Sequence, residues 1–209
     1  MPTSGHRPLE YGVAARPLPG EAKSGDLHAV IPLSHGSLVA VADGLGHGCE
    51  ATLAAEVAMA TLAARAHLPV DRIVEHCHEA LIKTRGVAMS IASLDWRNDT
   101  ITWLSIGNVA GILLRTNKRG GVEREHILMR GGVVGFRLPP LRAATLRLHR
   151  GDLLIFASDG VGEGFQGEID FDAHPQEIAD RILARYAKAT DDALVLVGRW
   201  NGRPSSGAP

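Results

Sequence analysis

Two stretches of the chain share one pattern. Residues 38–48 read LVAVADGLGHG and residues 153–164 read LLIFASDGVGEG. Each is an apolar run, then a small residue, then D-G-[LV]-G-x-G. The runs have the length and composition of buried strands. A carboxylate at the end of such a strand is costly unless it is solvated, hydrogen-bonded or bound to a cation. Glycines directly after it require a sharp turn and a close approach of something to the backbone. One Asp-Gly after a strand is an ordinary turn signal. Two with the same continuation, longer than a hairpin turn needs, read as two strand ends that bring Asp43 and Asp159 to one edge of a sheet. Two anions at short range repel, and a cation resolves the conflict. The glycines are then expected to clear space for the cation and its ligand.

Two further acidic sites flank strand-like segments. Asp26 lies in SGDLHAV, and Asp191 and Asp192 lie in TDDALVLV. Alone, each is an ordinary loop or capping sequence. Together with Asp43 and Asp159 they offer a set of oxygen ligands that suits Mg²⁺ or Mn²⁺ rather than zinc.

The remaining sequence limits the setting. At 209 residues, 45% hydrophobic, the chain has material for one sizeable core, expected as a single domain over 1–200 with a disordered tail at 201–209. A net charge of −1 leaves no electrostatic footprint for nucleic acid or an anionic membrane. The two cysteines, Cys49 and Cys77, form no CxxC pair and point to a reducing compartment. The start, MPTSGHRPLE, has no apolar h-region, and the apolar stretch 51–64 is interrupted by Glu56. A soluble, cytoplasmic, monomeric protein is expected.

Periodicity predicts strands at 9–16, 27–33 and 37–42, then helices at 49–65 and 70–83. Leu53, Val57, Ala60 and Ala64 are expected to form the buried face of the first helix. Strands follow at 87–94, 100–106, 110–114, 123–129, 145–149 and 153–157, a helix at 175–188 and a last strand at 194–197. The segments 115–121 and 131–140 read as loops and as candidates for surface recognition. Strands and helices are segregated, so the class is α+β with mostly antiparallel sheet.

ADGLGHG, GDLLIFASDGVGEG and DDALVLVGR, in this order, resemble the metal-dependent protein phosphatases of the PPM (PP2C-like) class, in particular their bacterial SpoIIE-type branch. The resemblance covers 25–199, nearly the whole chain. It implies a PP2C-like sandwich of two antiparallel β-sheets flanked by α-helices, with a centre of two divalent cations, Mn²⁺ or Mg²⁺, at one end. It places Asp43 as the bridging ligand, Gly44 as a carbonyl ligand, and Asp26, Asp159, Asp191 and Asp192 in the remaining acidic positions. The implied reaction is in-line attack of a metal-activated water on phosphoserine or phosphothreonine, without a covalent enzyme intermediate. The short chain, free of any sensor domain, is similar to stand-alone feedback phosphatases whose substrates are phosphorylated STAS-domain proteins of the stressosome.

The sequence also departs from the family. Asn108 stands in SIGN where many relatives carry an aspartate for a third metal, and Leu194 stands where a threonine is usual. Arg16 reads as a surface arginine rather than as a phosphate ligand. His47 reads as a proton donor to the leaving oxygen, as a hydrogen-bond partner of a metal-bound water, or as a cap for the helix at 49. His76-Cys77-His78 reads as a helix face with Cys77 turned inward, not as a metal site. Glu163 has no assigned role. Two other functions fit parts of the pattern. ADGLGHG resembles the D-x-G-x-G of GHKL-type ATPases and serine kinases, but every asparagine of the chain lies after Asp43, which removes that family's Mg²⁺ ligand. A non-catalytic phosphoprotein-binding module would leave the clustered carboxylates unused and destabilising.

Overall fold

The computed structural model describes residues 8–117 and 120–203. Its strands are β1 (Leu9–Arg16), β2 (Asp26–Leu33), β3 (Gly36–Gly44), β4 (Val87–Asp95), β5 (Thr100–Ile106), β6 (Ala110–Thr116), β7 (Val122–His126), β8 (Met129–Arg130), β9 (Ala144–Arg147), β10 (Leu153–Ala157) and β11 (Ala193–Trp200). Helices α1 (Cys49–Arg65) and α2 (Val70–Leu81) connect β3 to β4, and α3 (Pro175–Tyr186) precedes β11. One sheet runs β1-β11-β10-β6-β7. The other runs β2-β3-β4-β5-β8, with β9 also paired to β5. All pairings are antiparallel except the short β5–β8 contact.

Strand alternation builds the layers. On β3, Val39 and Val41 face the other sheet and pack with Phe156 and Leu154 of β10, Leu196 of β11, Trp103 and Trp200. Leu38, Ala40 and Ala42 face the opposite way, into a core with α1 and α2. On β10 and β11, Leu153, Ile155, Val195 and Val197 pack under α3 with Ile178 and Ile182. Apolar strands buried on both faces are what a sheet covered by helices requires. The result is an α/β/β/α stack.

Two expectations are corrected. The buried face of α1 is Ala51, Thr52, Ala54, Ala55, Ala58 and Leu62, while Leu53 is 54% exposed and Ala60 and Ala64 lie outward. Small residues win this face because they let the helix lie close on β2 and β3. The strand expected at 123–129 is two strands in different sheets. β7 leaves β6 after His126, Ile127 N–H bonds the Gly111 carbonyl at 2.8 Å, and Met129 then pairs with Ser105. The hairpin loop expected at 115–121 does join two antiparallel strands, β6 and β7, with Asn117 N–H bonding the Gly121 carbonyl at 2.8 Å.

Cys77 is buried and Cys49 exposed, both as free thiols. His78 Nδ1 accepts the Gly135 N–H at 2.9 Å, so the His-Cys-His stretch serves packing. Among the described residues no helix is long and apolar enough to cross a membrane. The C-terminal tail from 204 lies outside the described residues, whereas Asn201 N–H is bonded to the Pro8 carbonyl at 2.8 Å.

β1 is an edge strand, and α3 covers that edge. Gln176 Oε1 accepts the Val13 N–H at 3.0 Å and Gln176 Nε2 donates to the Val13 carbonyl at 2.8 Å, the pair of bonds a neighbouring strand would make. Gln176→Ala should cost about 1–3 kcal/mol in urea unfolding and speed hydrogen exchange at the Val13 amide above that of its β1 neighbours.

Candidate metal centre

The acidic residues meet where the two sheets share an edge. Asp26 and Asp43 stand opposite each other in the β2–β3 ladder. Asp159 follows β10, and Asp191 and Asp192 precede β11. Asp43, Asp159 and Asp191 line one open cleft of about 230 Å³, with Leu45, Gly46, His47, Asn108 and Thr190. Asp26 and Asp192 lie beneath it, each 3% exposed.

These two buried carboxylates are satisfied differently. Asp26 Oδ2 accepts the Ser158 hydroxyl at 2.6 Å. The same oxygen of Ser158 accepts the Leu194 N–H at 2.9 Å. Ser158 therefore ties the end of β10 and the start of β11 to β2 in the opposite sheet. Asp192 spends both oxygens on the β1–β2 loop, accepting Leu18 N–H at 2.7 Å and Gly25 N–H at 2.8 Å. That makes Asp192 a clamp for the loop carrying Asp26, not a group aimed into the cleft.

The first glycine of each Asp-Gly turn has a different purpose from the expected one. A Cβ on Gly44 would fall 2.1 Å from the Ala51 carbonyl oxygen, and one on Gly160 would fall 1.8 Å from that of Asp192. The first glycine after each aspartate admits protein backbone, from α1 in one case and from the approach to β11 in the other. Gly44 is not among the cleft-lining residues.

Burial and mutual repulsion raise the carboxyl pKa values. Asp43 is pushed up to about 8, first by burial and then by Asp26, Asp159, Asp191 and Asp192. Asp26 is pushed up to about 7 by burial; the Ser158 bond pulls it back, and Asp192, Asp159 and Asp191 add to the rise. Asp159 is also raised, by burial and Asp191, against the opposing pull of Lys188 and Asn108. The Asn108 amide donates to Asp159 Oδ2, so it supports a carboxylate at the position where relatives were expected to place another ligand. Lys188 Nζ donates at 2.6 Å to the main-chain carbonyl of Asp159.

Among the described residues, no three His, Cys, Asp or Glu side chains close on one point as a finished cage. Mg²⁺ needs no such cage: it keeps several waters and takes one or two carboxylates. The donor set fits such a cation. It is all oxygen, it opens on a cleft, and the Asp43 carboxylate accepts no hydrogen bond from the described residues that would neutralise it.

His47 does not cap α1. The N-cap is Gly48, without a side-chain bond, and His47 Nδ1 lies 2.9 Å from Glu21 Oε1 on the cleft wall. Arg16 donates to the Lys188 carbonyl at 2.6 Å, and Glu163 is exposed. Ser158 and Lys188 are the contributors that the sequence patterns missed. Ser158 was in view, as the residue before Asp-Gly, but its bond spans 132 positions.

The family model for Stage II sporulation protein E matches residues 34–201. The chain belongs to the SpoIIE family. Phosphoserine phosphatase RsbX of Bacillus subtilis (strain 168) is 24% identical to this SpoIIE-family chain over 163 residues, 78% of this chain and 80% of the relative. A chain solved in work on the bacterial stressosome, described as a modular system adapted to control secondary messenger signaling, is 29% identical, with a TM-score of 0.83, covering 92% of this chain and 100% of its own. RsbX in complex with magnesium is 23% identical, with a TM-score of 0.81, covering 91% and 94%. The fold is the PP2C-like α+β sandwich expected from the motifs.

The raised carboxyl groups set a pH dependence. The folded chain holds protons on Asp26 and Asp43 up to about 7 and 8, whereas the unfolded chain releases them near 3.8. The folded state binds more protons between those limits, so stability falls as pH rises through them. His28, held below its ordinary 6.5 by burial, acts oppositely at lower pH, so the clean window lies above 6.5. In EDTA the melting temperature should fall by roughly 5 °C between pH 6.5 and 8.5, and Mn²⁺ or Mg²⁺ should restore more at pH 8.5 than at 6.5. Calorimetry at several pH values measures both.

Proposed function

We propose that this SpoIIE-family chain is a metal-dependent protein serine/threonine phosphatase that acts on phosphorylated STAS-domain proteins of the stressosome, as a feedback regulator of stress signalling. The observation that carries the reading is the convergence of Asp43, Asp159 and Asp191 on one open cleft, with an Asp43 carboxylate that no described side chain neutralises. Family membership supports the reaction class. The relative named as a phosphoserine phosphatase and the structural match from stressosome work support the substrate and partners.

Asp43, Asp159 and Asp191, which line the cleft, would hold the two divalent cations, Mn²⁺ or Mg²⁺. When bound, the cations supply an acidified water as nucleophile and a positive clamp on the phosphate. The chain's own residues prepare the site. Asp192 and Ser158 hold Asp26 and its loop against the β10–β11 end of the site. Asn108 fixes the rotamer of Asp159 by donating to it. His47, exposed on the cleft wall and oriented by Glu21, is positioned to return a proton to the leaving serine or threonine oxygen. The ATPase alternative is set aside by the family match. The binding-module alternative predicts no turnover, and the same assay decides it.

The test is phosphate release from a phosphoserine peptide with Mn²⁺ and with EDTA. Wild type should release phosphate only with the metal, and Asp43→Asn should lose more than about a hundredfold in rate. In EDTA at pH 8 the same variant should melt above wild type, because a neutral amide relieves the repulsion at position 43. Undiminished turnover by Asp43→Asn would remove Asp43 from the centre.

A further inference from the structure

A phosphate monoester carries its negative charge into a cleft lined by Asp43, Asp159 and Asp191. The motifs place no side chain on its oxygens. Arg85 lies between α2 and β4, with its guanidinium beside Gly46, a residue that lines that cleft. Its backbone is fixed to the Asp-Gly turn, since Leu45 N–H donates to the Gly86 carbonyl at 3.1 Å. Val87 and Val134 exchange N–H···O bonds at 3.0 and 2.9 Å just beyond it, which holds the segment from the other side.

The guanidinium lies over Gly46. That residue has φ +86°, and a Cβ on it would fall 2.6 Å from Arg85 Nη1. The second glycine of D-G-L-G thus leaves the space that the guanidinium occupies, and Gly46 itself lines the cleft. The other contact of Arg85 is an ion pair with Glu50, the two side chains being 48% and 70% exposed. A pair so open to water holds weakly and exchanges readily.

Three other basic side chains near the site have partners of their own. Lys188 Nζ serves the Asp159 carbonyl at 2.6 Å, Arg16 serves the Lys188 carbonyl at 2.6 Å, and His47 Nδ1 faces Glu21 at 2.9 Å. The first two hold backbone in place. Arg85 alone of these four is tied to a mostly exposed carboxylate that a phosphate can replace.

We infer that Arg85 binds the substrate phosphate: its guanidinium leaves Glu50 and takes two non-bridging oxygens of the phosphoryl group in a bidentate pair, over the open face of Gly46. A planar fork matched to phosphate is the geometry for which arginine is suited and lysine is not. The assignment rests on the phosphatase reading of the cleft, and it deepens that reading by naming the substrate contact.

The experiment compares wild type, Arg85→Ala, Arg85→Lys and Glu50→Gln, all loaded with Mn²⁺. Steady-state hydrolysis of p-nitrophenyl phosphate gives KM and kcat, and calorimetric titration with inorganic phosphate gives Kd without turnover. In Arg85→Ala, KM and the phosphate Kd should both rise about tenfold or more. Its kcat should change by less than about threefold. Arg85→Lys should recover part of the loss, and Glu50→Gln should tighten phosphate by freeing the guanidinium. Unchanged KM and Kd in Arg85→Ala overturn the assignment, as does a fall in kcat alone. A wild type that binds phosphate through Arg85 yet turns over no substrate overturns the phosphatase reading and leaves the anion site standing.

Discussion

Carboxylate repulsion at one edge of a two-sheet sandwich is the constraint that the surrounding structure answers. Asp26 and Asp43 face each other across a β-ladder, and Asp159, Asp191 and Asp192 arrive from the opposite sheet. Burial then raises the cost of ionising them, which is why Asp43 and Asp26 sit at about 8 and about 7. A fold that concentrates this much negative charge is incomplete without a cation, and the cleft in front of Asp43, Asp159 and Asp191 is where one has access.

The scaffold holds the carboxylates in place mainly with neutral donors. Ser158 bridges the sheets by donating to Asp26 while accepting from Leu194. Asp192 collects two backbone N–H groups of the β1–β2 loop. Asn108 donates to Asp159. Such bonds fix geometry without cancelling the charge that a metal would meet. The close approach of Ala51 to Gly44, and of Asp192 to Gly160, transmits the packing of α1 and of the β11 end to the two Asp-Gly turns. The site is thereby set by the same contacts that close the core.

Much of this was legible in the sequence, for reasons that differ by element. β1, α1, β5 and β10 have the bounds expected, because each is a continuous apolar or periodic run ended by glycine, proline or charge. Asp43 and Asp159 stood out because one pattern occurs twice. Of the face expected on α1 only Val57 packs on the core, since helical spacing alone does not fix which side of the helix, here the one carrying Ala51, Ala54, Ala55 and Ala58, lies on the sheet. The split of β7 from β8 was hidden because residues 123–129 carry no turn signal; the chain changes sheets at Ile127, whose partner, Gly111, belongs to β6.

The sequence by itself determined which residues are apolar on both strand faces, where the glycine- and proline-marked turns fall, and which carboxylates lie at strand ends. Those are local properties, set by composition and spacing within a few residues. Only the tertiary structure decided which carboxylates face the cleft and which lie beneath it as supports. It also assigned Ser158 and Arg85 their partners and gave Gly44 and Gly160 their backbone neighbours. Each of those facts depends on contacts between segments far apart in the chain, such as Ser158 with Asp26 and Asp192 with Leu18. A long-range contact leaves no periodicity in the sequence; it exists only once the two sheets have packed and their edges have met.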